Sequence, residues 1–135
     1  MLIVMTRPQP RVLIVDDEPG VLDALSRVLT RHHFVPETAR SLDEARSRLD
    51  GAAFDIVLTD LCLAETDGVE GLRVLDLVRD RWPATQVVML TGYGSAETEE
   101  EARRRGARAF FRKSQSLSEI VQALDALTGA PPAAA

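Results

Sequence analysis

Short apolar runs separated by polar stretches dominate the pattern of the chain, and none of the clearest runs alternates polar and apolar residues. Unbroken runs of this length are typical of strands that are buried on both faces, as in a parallel sheet. A weaker candidate, residues 34–39, contains Pro36, which has no N–H to donate to a neighbouring strand and therefore suits a sheet edge. The four clear runs are residues 12–15, 54–58, 87–90 and 109–111.

Segments with helical periodicity lie between these runs. Pro19 suits the first turn of a helix whose apolar stripe includes Leu25 and Leu29. Ser-x-x-Glu capping boxes at residues 41–44 and 116–119 predict the starts of two more helices. We expect the first of these to run to about Asp50, where Gly51 closes it, and the second to run towards Leu127.

Spacing and charge indicate the two remaining helices. Leu72, Leu75 and Val78 continue a helical pattern until Pro83 stops it. A further helix over about residues 96–105 begins with glutamates and ends with arginines, an arrangement that suits the helix dipole. Strands and helices thus alternate five times, which predicts an α/β fold with right-handed crossovers and a parallel sheet covered on both faces.

Composition fits one soluble globular domain. The chain has 135 residues, of which 45% are hydrophobic and 27% charged, and its net charge is -5 with a pI near 5.0. The longest basic run is residues 103–105. So short a run in an acidic chain argues against direct binding of nucleic acid.

The ends of the chain and its cysteine content suggest where it resides. Cys62 is the single cysteine, so no internal disulfide is possible, and a reducing compartment, the cytoplasm, is expected. Residues 1–5 are apolar but too few for a signal peptide or a membrane span, so we expect no membrane insertion. We expect a domain at 10–128, flanked by a flexible lead-in at 1–9 and a flexible tail at 129–135.

Chemically active side chains follow four of the predicted strands. The first strand ends in the acidic residues 16–18, the third in Asp60, the fourth in Thr91 and the fifth in Lys113. In a parallel α/β sheet, binding sites lie outside the carboxyl ends of the strands, so these side chains should converge. Clustered carboxylates repel one another unless a cation neutralises them, and oxygen ligands of this density suit Mg2+.

Each piece of this pattern also has an ordinary explanation. A pair of aspartates after a strand is more often a turn or helix cap than a ligand set, and a lone lysine is usually a solvated charge. Thr91-Gly92 taken alone is merely a turn. Their joint occurrence at strand ends that converge favours a functional site over those readings.

At this point the sequence resembles the receiver domain of bacterial two-component response regulators. The resemblance covers about residues 10 to 128 and implies a doubly wound five-stranded sheet in the flavodoxin-like order 2-1-3-4-5. The four motifs that carry it are Val12-Leu13-Ile14-Val15-Asp16-Asp17-Glu18-Pro19, Asp55-Ile56-Val57-Leu58-Thr59-Asp60, Val88-Met89-Leu90-Thr91-Gly92-Tyr93-Gly94-Ser95 and Gly106-Ala107-Arg108-Ala109-Phe110-Phe111-Arg112-Lys113.

The resemblance implies a Mg2+ site around a phospho-acceptor. Asp60 would accept the phosphoryl group and contribute to binding the metal. Asp17 would bind Mg2+ directly, and Asp16 would share the ion or act through a water molecule. The backbone carbonyl of Cys62 would be a further ligand.

The same resemblance implies a switch. Thr91 would hydrogen-bond one phosphoryl oxygen, and Lys113 would pair with another. Phe110 occupies the family's switch-aromatic position, although Phe111 could serve instead or Phe110 could be an ordinary core residue. Gly92 should matter sterically, since a large side chain beside Thr91 would crowd the phosphoryl group.

The implied partners are a histidine kinase or phosphotransfer protein and a downstream protein that contacts the face of the fourth helix, fifth strand and fifth helix. The chain would promote only its own phosphorylation and dephosphorylation, and it would be a single-domain regulator or a piece of a larger one. The main alternative is a pseudo-receiver, an interaction module that phosphate does not regulate. A Mg2+-dependent phosphohydrolase is less consistent, because Leu61 and Cys62 follow Asp60 where such an enzyme needs a second carboxylate.

Two positions depart from the usual receiver pattern. Lys113 is followed by Ser114 instead of proline, and a cis bond without proline costs about 3–4 kcal/mol, so we predict a trans peptide or a rearranged loop. The loop 63–71 is a few residues longer than usual, and Gly71 rather than Gly68 fits the start of the next helix. The extra acidic segment is either a partner-specific lip over the site or a neutral insertion.

Cys62 also has two interpretations. A thiol beside a phosphorylation site suggests redox control, but nothing nearby in the sequence would lower its pKa. We therefore expect a buried or half-buried structural cysteine.

Overall fold

The computed structural model describes residues 9–63, 70–92 and 95–128. In these ranges five strands alternate with five helices, as predicted. The elements are β1 (Arg11–Val15), α1 (Pro19–Arg31), β2 (Val35–Ala39), α2 (Leu42–Gly51), β3 (Ile56–Asp60), α3 (Glu70–Arg81), β4 (Gln86–Thr91), α4 (Ala96–Arg104), β5 (Ala109–Arg112) and α5 (Leu117–Leu127).

The strands form one parallel sheet in the order β2-β1-β3-β4-β5, which confirms the predicted topology. Pro36 lies in the edge strand β2, where its missing N–H leaves no gap in the interior of the sheet. Because β5 is the other edge, the expectation that its residues are buried on both faces is wrong. Phe110 is buried there, whereas Ala109 and Phe111 are half-buried.

Alternate residues of the central strands supply two cores. Leu13 and Val15 point to one face, which α2, α3 and α4 cover with residues such as Leu49, Leu75 and Ala102. On the opposite face the buried side chains come from β1, β3 and β4 and from α1 and α5: they include Val12, Ile14, Leu58, Leu90, Leu25, Leu29, Ile120 and Leu124. Burial on both faces explains why the central strands read as continuous apolar runs.

Some predicted boundaries shift. β3 begins at Ile56 rather than Phe54, since the Phe54 carbonyl accepts a hydrogen bond from the Thr85 hydroxyl at 2.7 Å instead of joining the ladder. Gly51 is the last residue of α2 and not the residue that closes it. Gly106, which follows α4, has a φ of 106°, so its lack of a side chain is needed there.

The capping predictions hold in part. The hydroxyls of Ser41 and Ser116 accept hydrogen bonds from the backbone N–H groups of Glu44 and Glu119, as predicted for helix starts. The Glu44 carboxylate, however, accepts from the backbone N–H of Arg40, one residue before the N-cap. The predicted boxes are therefore half formed, although both helices begin where the sequence indicated.

Most of the expected lead-in and all of the expected tail, residues 1–8 and 129–135, lie outside the described residues. Among the described helices there is none with the length and apolar character needed to cross a membrane.

Candidate functional site

Four strands deliver the predicted site residues to one edge of the sheet. Asp16 follows β1, Asp60 and Thr91 are the last residues of β3 and β4, and Lys113 follows β5. The Lys113 backbone N–H donates to the Thr91 carbonyl at 2.8 Å, which ties the ends of β4 and β5 together. Because all the strands run parallel, their carboxyl ends meet at this edge.

The Lys113 ammonium lies at the centre of the site. Its Nζ is 2.9 Å from Asp16 Oδ2, 3.0 Å from Asp60 Oδ2 and 3.2 Å from Glu18 Oε1. The structure thus brings the lysine together with two of the three predicted aspartates, Asp16 and Asp60. Glu18 was noted in the sequence as part of an acidic triplet but was not predicted as a partner of Lys113.

Two aspartates are held in the same way. Asp16 Oδ1 accepts a hydrogen bond from the Glu18 backbone N–H at 2.8 Å, and Asp60 Oδ1 accepts one from the Cys62 backbone N–H at 3.2 Å. In each case the second oxygen, Oδ2, faces Lys113. A backbone hydrogen bond two residues along the chain fixes the rotamer of each carboxylate, so the site is pre-organised.

Burial and charge act in opposite directions on these groups. Asp16 and Asp60 are almost completely buried, and burial raises the pKa of both carboxyls, while Lys113 works against that rise. For Lys113, burial favours a lower pKa, but its hydrogen bonds to Asp16 and Asp60 raise its pKa above the ordinary lysine value. The lysine is therefore charged at neutral pH and partly offsets the negative charge of the cluster.

An excess of carboxylate marks the site as suited to a cation. Oxygens of Asp16, Asp17, Glu18 and Asp60 all lie within 4.8 Å of one another, and one lysine cannot neutralise all four. A dense set of carboxylate oxygens is the ligand type that hard divalent ions prefer. Asp17 is exposed and accessible to such an ion, while Asp16 and Asp60 line the buried side.

Cys62 is half-buried beside Asp60. Burial raises the pKa of the Cys62 thiol, and the nearby Asp60 carboxylate raises it further. A thiol with a raised pKa is a poor nucleophile, which agrees with the expectation of a structural cysteine. Its backbone N–H positions Asp60, whereas a role for its carbonyl as a metal ligand stays a prediction.

The predicted switch residues are both buried in this structure. Thr91 is fully buried, and Phe110 is 8% exposed and belongs to the core under α2, α3 and α4. Phe111 packs on the opposite core, so the two aromatic residues cannot substitute for each other at one position. Gly92 is exposed, and among the described residues a Cβ there would meet only the Lys113 Cδ, at 3.8 Å, so alanine fits at that position.

Gly71 explains how α3 begins beside Asp60. Its N–H donates to the Leu61 carbonyl at 2.9 Å, and a Cβ at this position would lie 2.1 Å from the Asp60 carbonyl oxygen. Glycine is therefore required for α3 to approach the end of β3 this closely. The prediction that Gly71 marks the helix start is confirmed, since α3 begins at Glu70.

The peptide between Lys113 and Ser114 is trans, as predicted. A turn follows β5, in which the Gln115 backbone N–H donates to the Arg112 carbonyl at 3.0 Å. The Gln115 side chain closes it further by accepting from the Arg112 N–H at 2.9 Å. This turn fixes the backbone that carries Lys113 without a proline. Residues 64–69, most of the lengthened loop, lie outside the described residues.

Comparison with known proteins decides between the families that such a sheet edge allows. The sequence family described as "Response regulator receiver domain" matches residues 12–125. The chain belongs to this family. The resemblance inferred from the four strand-end motifs is therefore confirmed, and the acidic cluster with Lys113 is the acidic pocket of a receiver domain.

Individual relatives agree. PilR of Pseudomonas aeruginosa, a response regulator protein, is 36% identical over 110 residues, which are 82% of this chain and 24% of PilR. The crystal structure of the receiver domain of NtrX from Brucella abortus has a TM-score of 0.80 at 28% identity and covers 88% of this chain and 98% of that one. The chain therefore spans about a quarter of PilR but nearly all of an isolated receiver domain.

A third relative was solved in a modified form. It is a response regulator protein from Burkholderia pseudomallei, with a TM-score of 0.75 at 25% identity over 87% of this chain and 71% of that one. That structure contains a phosphorylated aspartic acid, a calcium ion and citrate.

Proposed function

We propose that this receiver domain accepts a phosphoryl group on Asp60 in a Mg2+-dependent reaction and thereby acts as a switch for protein interactions. The observation that carries the proposal is the position of Lys113, whose Nζ lies 2.9 Å from Asp16 and 3.0 Å from Asp60. Such a lysine both fixes the acceptor carboxylate and offers positive charge to an incoming phosphoryl group. The phosphorylated aspartic acid of the Burkholderia relative supports the same role for this chain.

The residues present fit a divalent cation. Asp16, Asp17 and Asp60 would hold Mg2+, with the Cys62 carbonyl as a further ligand, and their oxygens meet the preference of a hard ion. When bound, Mg2+ supplies positive charge that reduces the repulsion between an aspartate and an anionic donor. We infer that Asp16, which shares Lys113 with Asp60, links the metal side of the site to the lysine side.

In phosphoryl transfer the protein contributes mainly positioning and charge neutralisation. A carboxylate oxygen of Asp60 forms a bond to phosphorus while the bond from phosphorus to the donor nitrogen or oxygen breaks, and the donor leaves with the electron pair. The backbone N–H of Cys62 and the ammonium of Lys113 hold the carboxylate in place for this approach. Such positioning lowers the entropic cost of the reaction.

Phosphorylation of Asp60 is expected to change the surface that other proteins contact. Phosphorylation makes the Asp60 side chain more negative and adds strong hydrogen-bond acceptors, so Thr91 is expected to bond to one of the new oxygens. Thr91 and Phe110 lie on the neighbouring strands β4 and β5. Phe110 is already turned into the core in this structure, so we expect its packing against the α4 side to tighten.

The partners follow from this reaction. A histidine kinase or a phosphotransfer protein is the expected donor, and a downstream protein would contact the α4-β5-α5 face. PilR and other matched relatives are longer than this chain, so the same switch could also address a covalently attached domain. The domain is then an acceptor that promotes its own phosphorylation and dephosphorylation rather than an enzyme with a separate substrate.

Incubation with Mg2+ and acetyl phosphate tests the proposal. Intact-protein mass spectrometry should show one added phosphoryl group, which is absent without Mg2+ and absent in Asp60→Asn. Asp55→Asn, a neighbouring aspartate whose carboxylate accepts from the Arg11 N–H instead, serves as the matched control and should be phosphorylated normally. Wild-type protein that gains no phosphoryl group under any Mg2+ concentration would favour a pseudo-receiver.

A further inference from the structure

Glu18 occupies the N-cap position of α1 but does not act as a cap. Its backbone is extended, and its side chain makes no capping hydrogen bond. Instead Glu18 Oε1 lies 3.2 Å from the Nζ of Lys113, which is 95 positions further along the chain. The side chain of this residue therefore serves the lysine of the site and not the helix that it precedes.

The hydrogen-bonding capacity of Lys113 is full in this state. A lysine ammonium has three N–H donors and no acceptor. Its three carboxylate neighbours among the described residues, Asp16, Asp60 and Glu18, lie between 2.9 and 3.2 Å away. A phosphoryl oxygen that approaches Lys113 must therefore displace one of these carboxylates.

The burial of the three carboxylates indicates which of them separates from Lys113 when a phosphoryl oxygen approaches. The side chains of Asp16 and Asp60 are 2% and 5% exposed, whereas that of Glu18 is 63% exposed. Separating a buried carboxylate from its lysine leaves an uncompensated charge in a poorly solvated site, which is costly. An exposed carboxylate regains water when it moves away, so its release costs little.

We propose that Glu18 is a positioning residue that holds Lys113 before phosphorylation and competes with the incoming phosphoryl group for it. The inference rests on the proposed function, because the competitor for Lys113 is the group transferred to Asp60. Glu18 adds negative charge at the mouth of the site and occupies the donor that the phosphoryl oxygen needs. Its presence slows phosphorylation, and its release from Lys113 accompanies the transfer.

The strength of an exposed ion pair sets the size of the effect. Such pairs correspond to about a two- to five-fold difference in rate when they are broken on the way to the transition state. Glu18→Gln keeps the length of the side chain and removes its charge, so phosphorylation should become about two- to five-fold faster. Glu18→Asp keeps the charge but shortens the reach towards Lys113, so it should also be faster than wild type.

The experiment measures the second-order rate constant for phosphorylation by acetyl phosphate at saturating Mg2+, so that changes in metal affinity do not enter the rate. Glu100→Gln, an exposed glutamate of α4, gives the same change in net charge and should leave the rate unchanged. A second readout is the NMR signal of the Lys113 side chain in the metal-free, unphosphorylated domain. It should shift in Glu18→Gln and Glu18→Asp but not in Glu100→Gln.

Each outcome has one meaning. Equal or slower phosphorylation of Glu18→Gln overturns the competition, and a Glu18→Asp rate equal to wild type shows that charge alone, without contact to Lys113, is responsible. An unchanged Lys113 signal in Glu18→Gln overturns the ion pair whether or not the domain is phosphorylated. Failure of the wild type itself to gain a phosphoryl group contradicts the proposed function instead.

Discussion

Two clusters of ion-paired side chains lie in different parts of the molecule. Both are built from contacts between carboxylates and cations, but they differ in burial. At the carboxyl edge of the sheet, Lys113 meets Asp16 and Asp60, which are buried. At the end of α4, Arg105 meets Asp76 of α3 at 3.0 Å and Glu101 at 2.8 Å, and the side chains there are 35–55% exposed.

The two clusters differ in their exposure to solvent and in the ratio of carboxylates to cations. In the α3–α4 cluster, water screens the charges and Arg79 adds a further link by donating to the Arg105 carbonyl at 2.8 Å. In the site cluster, three carboxylates contact the Lys113 ammonium and Asp17 adds a fourth nearby, and burial raises the pKa of Asp16 and Asp60. The first arrangement fastens two helices together. The second holds an excess of negative charge that a bound cation would neutralise.

Of the substitutions in these two clusters, Lys113→Met should cause the largest loss of unfolding free energy. Removing the ammonium leaves Asp16 and Asp60 as neighbouring buried charges, so the free energy of unfolding at pH 7 should fall by about 3 kcal/mol. Urea unfolding in metal-free buffer measures it. Lys113→Arg keeps the charge and should lose much less, and Mg2+ should restore part of the stability of Lys113→Met. Equal stability of Lys113→Met and wild type would show that the ammonium does not hold the site together.

Gly71→Ala tests the backbone that supports the same site. The new Cβ would lie 2.1 Å from the Asp60 carbonyl oxygen, so α3 and the end of β3 must move apart, which should cost about 1–3 kcal/mol of unfolding free energy. Gly20→Ala is the matched control, because a Cβ there has no neighbour within 4 Å in the part of the chain that the structure describes. It should be neutral or slightly stabilising in the same denaturation experiment. If both variants unfold alike, the close approach at Gly71 is not a constraint.

The pH dependence of stability should reveal the cost of burying the Asp16 and Asp60 carboxylates in their charged form. Since burial raises the pKa values of Asp16 and Asp60 in the folded state, the native protein binds more protons than the unfolded chain as the pH falls from neutral towards the ordinary aspartate pKa of about 4. The metal-free domain should therefore become more stable as the pH falls through this window. Thermal unfolding at several pH values measures the slope.

Asp60→Asn provides the control for that slope. Removal of this buried carboxylate charge should raise the stability at pH 7 by about 1 kcal/mol and flatten the dependence on pH. A wild-type domain that loses stability steadily from pH 7 to pH 5 would mean that the lysine outweighs burial at both aspartates.

Asp76→Asn should cause the smallest change in unfolding free energy. It removes the exposed partner of Arg105 between α3 and α4, so the expected loss of unfolding free energy is below about 1 kcal/mol and should vanish at high salt. Chemical denaturation at low and high ionic strength measures it. A loss as large as that of Lys113→Met would remove the distinction between the two clusters.

The sheet was predictable because burial on both faces gives β1, β3 and β4 a continuous apolar pattern, and Pro36 assigned β2 to an edge. Phe54 was misassigned to β3 because an apolar residue next to a strand has the same pattern whether or not it joins the ladder. It packs instead under the Arg11 guanidinium, 5.1 Å from its ring centre. Such packing depends on tertiary contacts that local pattern does not encode.

The site was predictable for a different reason. Strand ends in a parallel sheet converge whatever the side chains are, so Asp16, Asp60 and Lys113 could be brought together from their positions alone. The role of Glu18 was not predictable in this way, because a glutamate before a helix can cap it or turn elsewhere. Whether its side chain reaches Lys113 depends on rotamers of both residues and on the turn that Gln115 closes.

Identification of the modified residue tests the central claim most directly. After incubation with acetyl phosphate and Mg2+, borohydride reduction converts a phosphorylated aspartate into homoserine, which peptide mass spectrometry locates in the sequence. The account predicts homoserine at position 60 of the wild type and none in Asp60→Asn. Homoserine at position 16 or 17, or at no position in protein that is otherwise folded and Mg2+-bound, would contradict it.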